Sequence, residues 1–301
     1  MKPPPGSEIT DKVLRLNKSL YGLKQAARVW NKTLHQSMIK ENFTQSKFDE
    51  CLYVFENDKD ICFAIVHVDD MIFASNTQKV IDQKTSSLNK TFELKSLGNV
   101  TNYLGIEVSR NKKGHFAISQ TNYINKIASE FGLTDSKGSK FPLDPNYHKL
   151  EDENILYIKE KNYRKLIGML LYLSTNTRPD ISASVGILAQ RVSKPRELDF
   201  IEALRIIKYL ISTKNEQLHM FDSEETETLF AFADSDWAED RETRKSISGT
   251  ICKVFGAAVS WSSRKQNVVS TSTTESEFYA ISEVVKEIQW LTNVLNDFCT
   301  K

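Results

Sequence analysis

Apolar side chains recur every three or four positions in several stretches of the chain, which is the spacing of one face of an α-helix. Residues 23–39 give one such helix, with its apolar positions at Ala26, Val29, Trp30, Leu34 and Met38. The same period predicts further helices over residues 79–90, 121–133 and most of 163–210, with breaks at residues 177–180 and 194–197.

Short apolar runs bounded by turn residues predict β-strands in other parts of the chain. Residues 61–68 (ICFAIVHV) and 71–75 (MIFAS) flank Asp69 and Asp70, so a tight turn at the two aspartates would make a β-hairpin. Further strand character is predicted over residues 92–108, 115–120, 228–238, 248–255 and 257–263, with the last two runs joined at Gly256.

Two polar stretches separate these groups of predicted elements. Residues 141–154 contain two prolines and an acidic cluster, which is typical of an exposed linker. Residues 222–227 are polar and acidic, and we interpret them as a second boundary.

The last predicted helix is strongly amphipathic and follows a Ser/Thr cluster that can cap it. Glu277 lies on its apolar stripe, whereas Glu275 lies on the opposite side. The other members of the stripe are Phe278, Ile281, Val284, Val285, Ile288, Leu291 and Leu295. An acid there is either a metal ligand or a residue held by the backbone amides and dipole of the frayed helix start, and the pattern leaves both open.

The strand before this helix also carries acids, because alternate residues share a face and Asp234 and Asp236 therefore lie together. With Glu277 they would form part of a metal site. Two-metal phosphodiester hydrolysis uses about four such oxygens to hold ions roughly 4 Å apart. The visible set is therefore incomplete.

The predicted hairpin places the carboxylates of Asp69 and Asp70 side by side, where they repel each other unless a cation neutralises them. Magnesium is the natural cation for clustered carboxylate oxygens that handle phosphates. Aspartate is also a common turn residue, so a solvated turn is the alternative that the local pattern leaves open.

Composition narrows the class of protein. The 301 residues are 40% hydrophobic and 26% charged, which suits a sizeable core in two domains, or in one domain and a fragment. The net charge of +1 gives no global basic field. Contacts to nucleic acid would have to come from small basic clusters, which are as typical of solvated loops, at residues 190–197, 242–246 and 263–266.

The 4 cysteines have no CxxC spacing, which argues against a zinc site or a disulfide framework and suits a reducing compartment. The start MKPPPGSE has no apolar stretch and is no signal peptide, and the apolar run at residues 166–173 is too short to span a bilayer. We therefore expect a cytoplasmic or nuclear protein with no membrane contact. Packing is favoured over base stacking for Trp30, Trp237, Trp261 and Trp290.

Several of these stretches, taken in order, resemble the Pol polyprotein of copia-type LTR retrotransposons over essentially the whole chain. KSLYGLKQAARVW (residues 18–30) resembles the LYGLKQ segment of that family. HVDDM (residues 67–71) resembles the catalytic hairpin of its reverse transcriptase, which is usually YVDD. FELKSLGNVTNYLGIEV, ISQTNYINKI, YRKLIGMLLYLSTNTRPDI and ALRIIKYL resemble stretches from palm to connection, and residues 233–281 resemble the start of the RNase H domain.

The resemblance implies an α+β fold: a partial reverse-transcriptase palm with a helical thumb and connection, followed by an incomplete RNase H-like fold. The corresponding segments are residues 1–110 for the palm remainder, 111–222 for thumb and connection, and 228–301 for the N-terminal part of the RNase H domain. We expect this last segment to leave an apolar helix face exposed and a sheet edge open.

The resemblance also implies RNA-directed DNA synthesis with two Mg²⁺ ions, for which Mn²⁺ can substitute. Asp69 and Asp70 match the hairpin aspartates that bind metal and align the primer end. Tyr21 and Gly22 match the segment beside the incoming deoxynucleotide. The implied partners are an RNA template, a DNA primer, deoxynucleotides and the remaining Pol polyprotein.

Cleavage of the RNA strand of an RNA–DNA hybrid is the second implied activity. Asp234 matches the first RNase H carboxylate and Glu277 the second, and both would be metal ligands. The helical stripe selects Glu277 over Glu275 independently of the resemblance.

Four departures from the family pattern affect the expected activity. The polymerase site needs a third aspartate upstream of LYGLKQ, and the RNase H site needs one on a strand beyond the long helix, so each set is incomplete. His67 replaces the usual tyrosine, and Ala27 stands where proline is more frequent. We expect a retrotransposon polymerase segment that is inactive alone; the alternative is a degenerate or domesticated remnant that binds nucleic acid without catalysis.

The purified chain should therefore show no magnesium-dependent primer extension on an RNA template, because two aspartates do not complete the polymerase set. The measurement is extension of a labelled primer, with Asp69→Asn and Asp70→Asn variants as matched controls. Robust extension that both substitutions abolish would contradict this expectation.

Overall fold

The protein is described by a computed structural model. It describes residues 2–3, 5–6, 13–112, 114–149, 160–220, 227–240 and 242–299. The chain divides into two compact units, one of Met1–Gly98 with Asn293–Lys301 and the other of Asn99–Thr292. Both units combine helices with antiparallel strands, so the predicted α+β class is confirmed.

The first unit contains one four-stranded antiparallel sheet, whose strands are adjacent in the order in which they occur in the chain. These strands are β1 (Thr44–Gln45), β2 (Leu52–Glu56), β3 (Ile61–His67) and β4 (Asp70–Ser75). Helices α1 (Ala26–Lys40) and α2 (Gln78–Leu88) belong to this unit and lie close to the predicted positions. The core joins helix and sheet side chains: Leu34, Met38, Phe43, Tyr53, Cys62, Ala64, Val80 and Leu88.

Strand β2 was not predicted from the sequence, although its run LYVFE is apolar. A run of five residues between two polar segments is too short to show whether its apolar positions recur with the period of a strand or of a helix. Its place in the sheet is set by pairing with β3, in which Tyr53 lies opposite Ala64 and both are buried.

The second unit begins with a four-stranded antiparallel sheet of β5 (Asn102–Tyr103), β6 (Ile106–Arg110), β7 (Phe116–Ser119) and β8 (Leu218–Met220). Four helices follow β7 as α3 (Thr121–Glu130), α4 (Glu160–Asn176), α5 (Ser182–Ala189) and α6 (Glu197–Ser212). The predicted helices are thus confirmed, with α4 ending before Thr177 and α6 beginning at Glu197. The largest core cluster of the unit lies among these four helices.

The third sheet, also in the second unit, has the order β11-β10-β9 and is antiparallel throughout. Its strands are β9 (Leu229–Ser235), β10 (Ile247–Val254) and β11 (Ala257–Lys265), and the helix α7 (Thr273–Cys299) follows. The last two strands turn at Phe255 and Gly256, both at positive φ, as a tight hairpin requires. The indole N–H of Trp261 donates to the carbonyl of Ser174 at 2.6 Å and ties β11 to α4.

The buried face of α7 differs from the predicted stripe. Val284 and Leu291 are buried, and Ile288 packs with them against Ala231, Ala233 and Cys252 of the sheet. Phe278 is 67% exposed, and Ile281 and Val285 are also exposed, so only part of the stripe faces the core and the expected exposed apolar face of the helix is confirmed at these three residues. Hydrophobicity alone defines a stripe but does not say which part of it the sheet is wide enough to cover.

The prediction of an exposed linker over residues 141–154 holds only in part, because Phe141, Pro145, Asn146 and Lys149 are exposed but the segment also packs on α6. Residues 150–154 lie outside the described part of the chain. Tyr147 is only 4% exposed and donates its hydroxyl to Asp199 of α6 at 2.7 Å. The backbone N–H of Asp144 donates to Glu202 at 2.8 Å. The polar composition suggested exposure to solvent, but the hydroxyl of Tyr147 and the N–H of Asp144 instead donate to carboxylates on a buried face of α6.

The carboxylate of Asp199 is fully buried and accepts hydrogen bonds from Tyr147 and from the backbone and guanidinium of Arg196. Burial, reinforced by Asp199, raises the pKa of Tyr147 to about 12, so its hydroxyl stays a donor. This cluster ties the start of α6 to the segment around Tyr147.

Asp199→Ala should lower the free energy of unfolding by about 3–5 kcal/mol, because it removes the fully buried carboxylate that accepts hydrogen bonds from Arg196 and Tyr147. Tyr147→Phe is the matched control, and it should cost about 1.5–3 kcal/mol because it removes one hydrogen bond to a charged group. Urea denaturation measures both. Equal costs for the two variants would contradict the proposed importance of the ion pair.

Candidate active site

The β3–β4 hairpin carries the two aspartates that the sequence singled out. Its register pairs His67 with Asp70, so the loop consists of Val68 and Asp69 alone. Asp69 therefore lies in the loop and Asp70 is the first residue of β4. Both aspartates are exposed, so their mutual repulsion is screened by water and their oxygens are accessible to a ligand.

The loop has an unusual backbone conformation. Val68 has φ +57°, whereas Asp69 is not among the residues with positive φ. Positive φ at the first central position alone is the pattern of a type II′ turn, where glycine is usual. A β-branched residue there is a genuine outlier, and such strain clusters at functional sites. No local pattern in the chain predicts this conformation.

Tyr21 and Gly22 lie before α1 in the same unit as the hairpin. Gly22 has φ +89° within a turn that the N–H of Leu23 closes by donating to the carbonyl of Leu20. This φ favours glycine. The side chain of Tyr21 is fully exposed and is therefore accessible to a ligand.

The carboxylates of this hairpin could bind a divalent cation only together with further ligands. Across the described residues, no group of three or more His, Cys, Asp or Glu side chains could hold a metal ion. Magnesium at phosphate-handling sites is, however, usually bound by one or two carboxylates, with waters and substrate phosphates completing its octahedron. Asp69 and Asp70 match that smaller requirement.

Asp234 and Glu277 are placed differently from the hairpin aspartates. Asp234 is exposed and alternates along β9 with Ala233, which packs against α7. By strand alternation, Asp234 leaves β9 on the face away from α7, the helix on which half-buried Glu277 lies. The two acids thus do not form one donor set within the described chain.

Glu275, not Glu277, interacts with the Ser/Thr cluster before α7. Its carboxylate accepts hydrogen bonds from the N–H and hydroxyl of Thr271 at 2.6 and 2.8 Å. The backbone hydrogen bond from Thr271 lowers the pKa of Glu275. This arrangement is a helix N-terminal cap. The capping role considered for Glu277 is therefore filled by Glu275.

Asp236 has a structural role rather than sharing a strand face with Asp234. It lies one residue beyond β9 and accepts the N–H of Ile247 at 2.9 Å, while its own N–H donates to the carbonyl of that residue. Burial is the main reason that the pKa of Asp236 is raised, with Glu239 adding to it. The carboxylate holds the start of β10 in register.

Gln266 was missed by the sequence analysis, although it is only 2% exposed. Its amide nitrogen donates to Ser248 of β10 and to the carbonyl of Ser276 in α7, both at 3.0 Å, and its oxygen accepts from Ser270. It thereby connects sheet and helix beside Glu277. Its partners are distant in sequence, so no local pattern could have identified it.

Several cations of the three basic clusters have partners within the second unit. Arg191 pairs with Glu242 at 2.7 Å, and Lys265 forms an ion pair with Asp240. The ammonium of Lys245 donates to the carbonyl of Asn267 at 2.7 Å. These charges hold loops together, which favours the structural interpretation of the clusters over phosphate binding.

Comparison with known proteins identifies the class of protein to which the region around the hairpin belongs. Residues 1–145 match the family model described as reverse transcriptase (RNA-dependent DNA polymerase). This region includes α1, both aspartates of the β3–β4 hairpin and the segment around Tyr21. The chain therefore contains a reverse transcriptase region.

Similar proteins extend the match to nearly the whole chain. The Pol polyprotein from transposon RE1 of Arabidopsis thaliana is 32% identical over 301 residues, covering 99% of this chain and 20% of that polyprotein. That from transposon TNT 1-94 of Nicotiana tabacum is 30% identical, covering 99% of this chain and 23% of its own length. The putative transposon Ty5-1 protein YCL074W of Saccharomyces cerevisiae is 30% identical, covering 96% of this chain and 94% of its own length.

The chain belongs to the copia-type family of retrotransposon Pol proteins, as the resemblance of its motifs predicted. It spans about a fifth of the length of the RE1 and TNT 1-94 polyproteins that it matches. None of the helices in the described part of the chain combines the length and apolarity needed to cross a membrane.

Asp240 should make the stability of the second unit depend on pH. Burial acts to raise its pKa, but hydrogen bonds from Lys265 and Thr243 outweigh burial and lower the pKa from 3.8 to about 2. A lowered pKa stabilises the folded state above the ordinary value, and this contribution is lost as the pH falls through about 2.

Asp240→Asn should therefore be less stable than the native protein at pH 5, and the difference should shrink towards pH 2. Urea denaturation at several pH values measures the difference in free energy of unfolding. Lys265→Met, which removes the ion-pair partner, should reduce the same pH dependence. A difference that does not change with pH would rule out this role for Asp240.

Proposed function

We propose that the β3–β4 hairpin supplies two of the metal-binding carboxylates of an RNA-directed DNA polymerase, and that Asp69 and Asp70 align the primer end. The observation that carries the proposal is the exposed Asp69–Asp70 pair at a two-residue β-turn within the region that matches reverse transcriptases. Val68 in this turn has positive φ, and backbone strain of this kind clusters at functional sites, which supports a function for the turn.

The chemistry follows from the oxygens that the hairpin presents. The carboxylates of Asp69 and Asp70 lie on adjacent residues, and the short loop limits their separation. Bound Mg²⁺ would supply positive charge that offsets the charge of the reacting phosphates. The chain's own part is to hold two acceptor groups rigidly at one edge of a sheet, while exposed Tyr21 offers an aromatic surface to the incoming deoxynucleotide.

The proposed domain organisation keeps the predicted boundaries. Residues 1–110 would form the remainder of the palm, residues 111–222 the thumb and connection, and residues 228–301 the start of an RNase H domain. Support for the last comes from the antiparallel β9–β11 sheet followed by one long helix. Support for the middle segment comes from its predominantly helical core.

RNA-strand hydrolysis by Asp234 and Glu277 stays a proposal based on the family motif. Asp234 and the helix that carries Glu277 lie on different faces of β9, so the residues described do not fit a shared metal ion. We therefore derive no hydrolytic step from them. An RNA template, a DNA primer, deoxynucleotides and an RNA–DNA hybrid remain the proposed partners of a longer Pol protein.

The alternative, a nucleic-acid-binding remnant without catalysis, receives less support from the surface. Three cations of the basic clusters that would carry such binding, Arg191, Lys265 and Lys245, already contact Glu242, Asp240 and the carbonyl of Asn267 within the same unit. Each phosphate contact contributes to affinity and to its salt dependence only if a free cation makes it. Charges that are already paired would have to break those pairs first.

Adding MnCl₂ to the ¹⁵N-labelled chain should selectively broaden the amide resonances of Asp69 and Asp70, because the paramagnetic ion reports even weak binding at nearby carboxylates. Asp69→Asn with Asp70→Asn should abolish this broadening. Asp58→Asn, in the exposed turn between β2 and β3, is the matched control and should leave it unchanged. Broadening confined to other acidic residues would contradict the proposal.

A further inference from the structure

Trp30 of α1 makes a hydrogen bond to the turn that carries the aspartates. Its indole N–H donates to the carbonyl oxygen of Val68 at 2.7 Å, across 38 positions of sequence. The edge of its ring meets Phe92, with centroids 5.2 Å apart and planes at 66°. The side chain is nevertheless 37% exposed, so burial alone does not account for a tryptophan at this position.

The hydrogen bond acts on the strained residue of the turn. Val68 has φ +57°, where the Cβ of an L-residue approaches backbone oxygen and a branched side chain is especially disfavoured. Val68 would relax towards negative φ unless another interaction held the turn. The indole donor is placed on the carbonyl of this residue, where it opposes that change.

Fixing this carbonyl also fixes the next residue. The carbonyl of Val68 and the N–H of Asp69 belong to one planar peptide group, so orienting one orients the other. The plane sets the direction in which the backbone of Asp69 leaves the turn, and Asp70 then enters β4 opposite His67. The position of both carboxylates therefore depends on the donor of Trp30.

We propose that Trp30 is a positioning residue for Asp69 and Asp70, which acts by holding Val68 at positive φ through its indole N–H. This inference deepens the proposed polymerase function and rests on it for the metal-binding role of the aspartates. Trp30 touches neither metal nor nucleotide in the proposal. Its effect passes through one backbone carbonyl.

The chain provides a natural control for the loss of an indole donor. Trp237 also donates to a backbone carbonyl, that of Ser270 at 3.2 Å, and is likewise partly exposed. Trp30→Phe and Trp237→Phe each remove one such hydrogen bond and keep an aromatic ring. Only Trp30→Phe removes a hydrogen bond that the β3–β4 hairpin accepts.

The first measurement is made without metal. The three-bond coupling between the amide and α protons of Val68 reports φ, and ¹⁵N relaxation reports the order of Asp69 and Asp70. Trp30→Phe should shift the coupling towards negative φ and lower the order parameters of both aspartates. Trp237→Phe should change neither. Unchanged values in Trp30→Phe would overturn the inference.

The second measurement is titration with MnCl₂, followed at the amides of Asp69 and Asp70. Trp30→Phe should weaken binding about fivefold, which is the factor that corresponds to about 1 kcal/mol, the typical net contribution of one hydrogen bond. Adding Val68→Gly should restore at least half of the loss, because glycine adopts positive φ without steric cost. A role of Trp30 in packing against Phe92 alone would not be rescued by glycine, and failure of rescue overturns the inference.

Two further outcomes separate this inference from the proposed function. If the native chain shows no Mn²⁺ effect at the aspartates but Val68 still changes in Trp30→Phe, the metal role fails and the control of the turn stands. If Mn²⁺ binds equally to the native chain and Trp30→Phe, the metal role stands and the positioning role is overturned. Should Trp30→Phe not fold, benzothienylalanine at position 30 removes the donor while keeping the bicyclic shape.

Discussion

Antiparallel pairing between strands that are neighbours in the chain is the constraint on which this structure depends. Three sheets are described, and in each of them adjacent strands follow one another in sequence order. Where the connection between two strands is only two residues long, the turn needs positive φ. Leu104 with Gly105, and Phe255 with Gly256, provide it at two such hairpins. At a further two-residue turn Val68 provides it, although it is β-branched and no glycine follows it, and the aspartates are placed there.

The fold was largely predictable where a periodic pattern is long. Helices α1, α3 and α6 begin and end near the predicted residues because their apolar positions recur over three or more turns. Strands β2 and β8 were missed because 5 and 3 residues are too few to show a period. The segment at residues 141–149 was expected to be exposed throughout, but Asp144 and Tyr147 bind Glu202 and Asp199, which lie more than 50 residues away.

The candidate site divides in the same way. The pattern of residues 61–75 predicted the hairpin and its two carboxylates, since both strands and the turn lie within one local stretch. The positive φ of Val68 and its bond to Trp30 depend on a contact between distant segments, and no local rule predicts a valine in that conformation. Gln266 illustrates the same limit, because its partners come from a strand, a loop and a helix. Periodicity identified Glu277, but it does not define which face of β9 carries Asp234.

The alternation of side chains along β4 has a consequence for how copies of this gene can diverge. Met71 and Phe73 pack against the core of their unit because they are separated by one residue. Gain or loss of one codon within β4 would turn every later side chain of the strand to the other face, although the reading frame would be preserved. Point substitutions on the exposed face would leave this pairing intact. Among copies that accumulate mutations, the length of β4 should therefore be retained longer than its exact amino-acid sequence. A change in that length should mark the copies whose hairpin no longer folds.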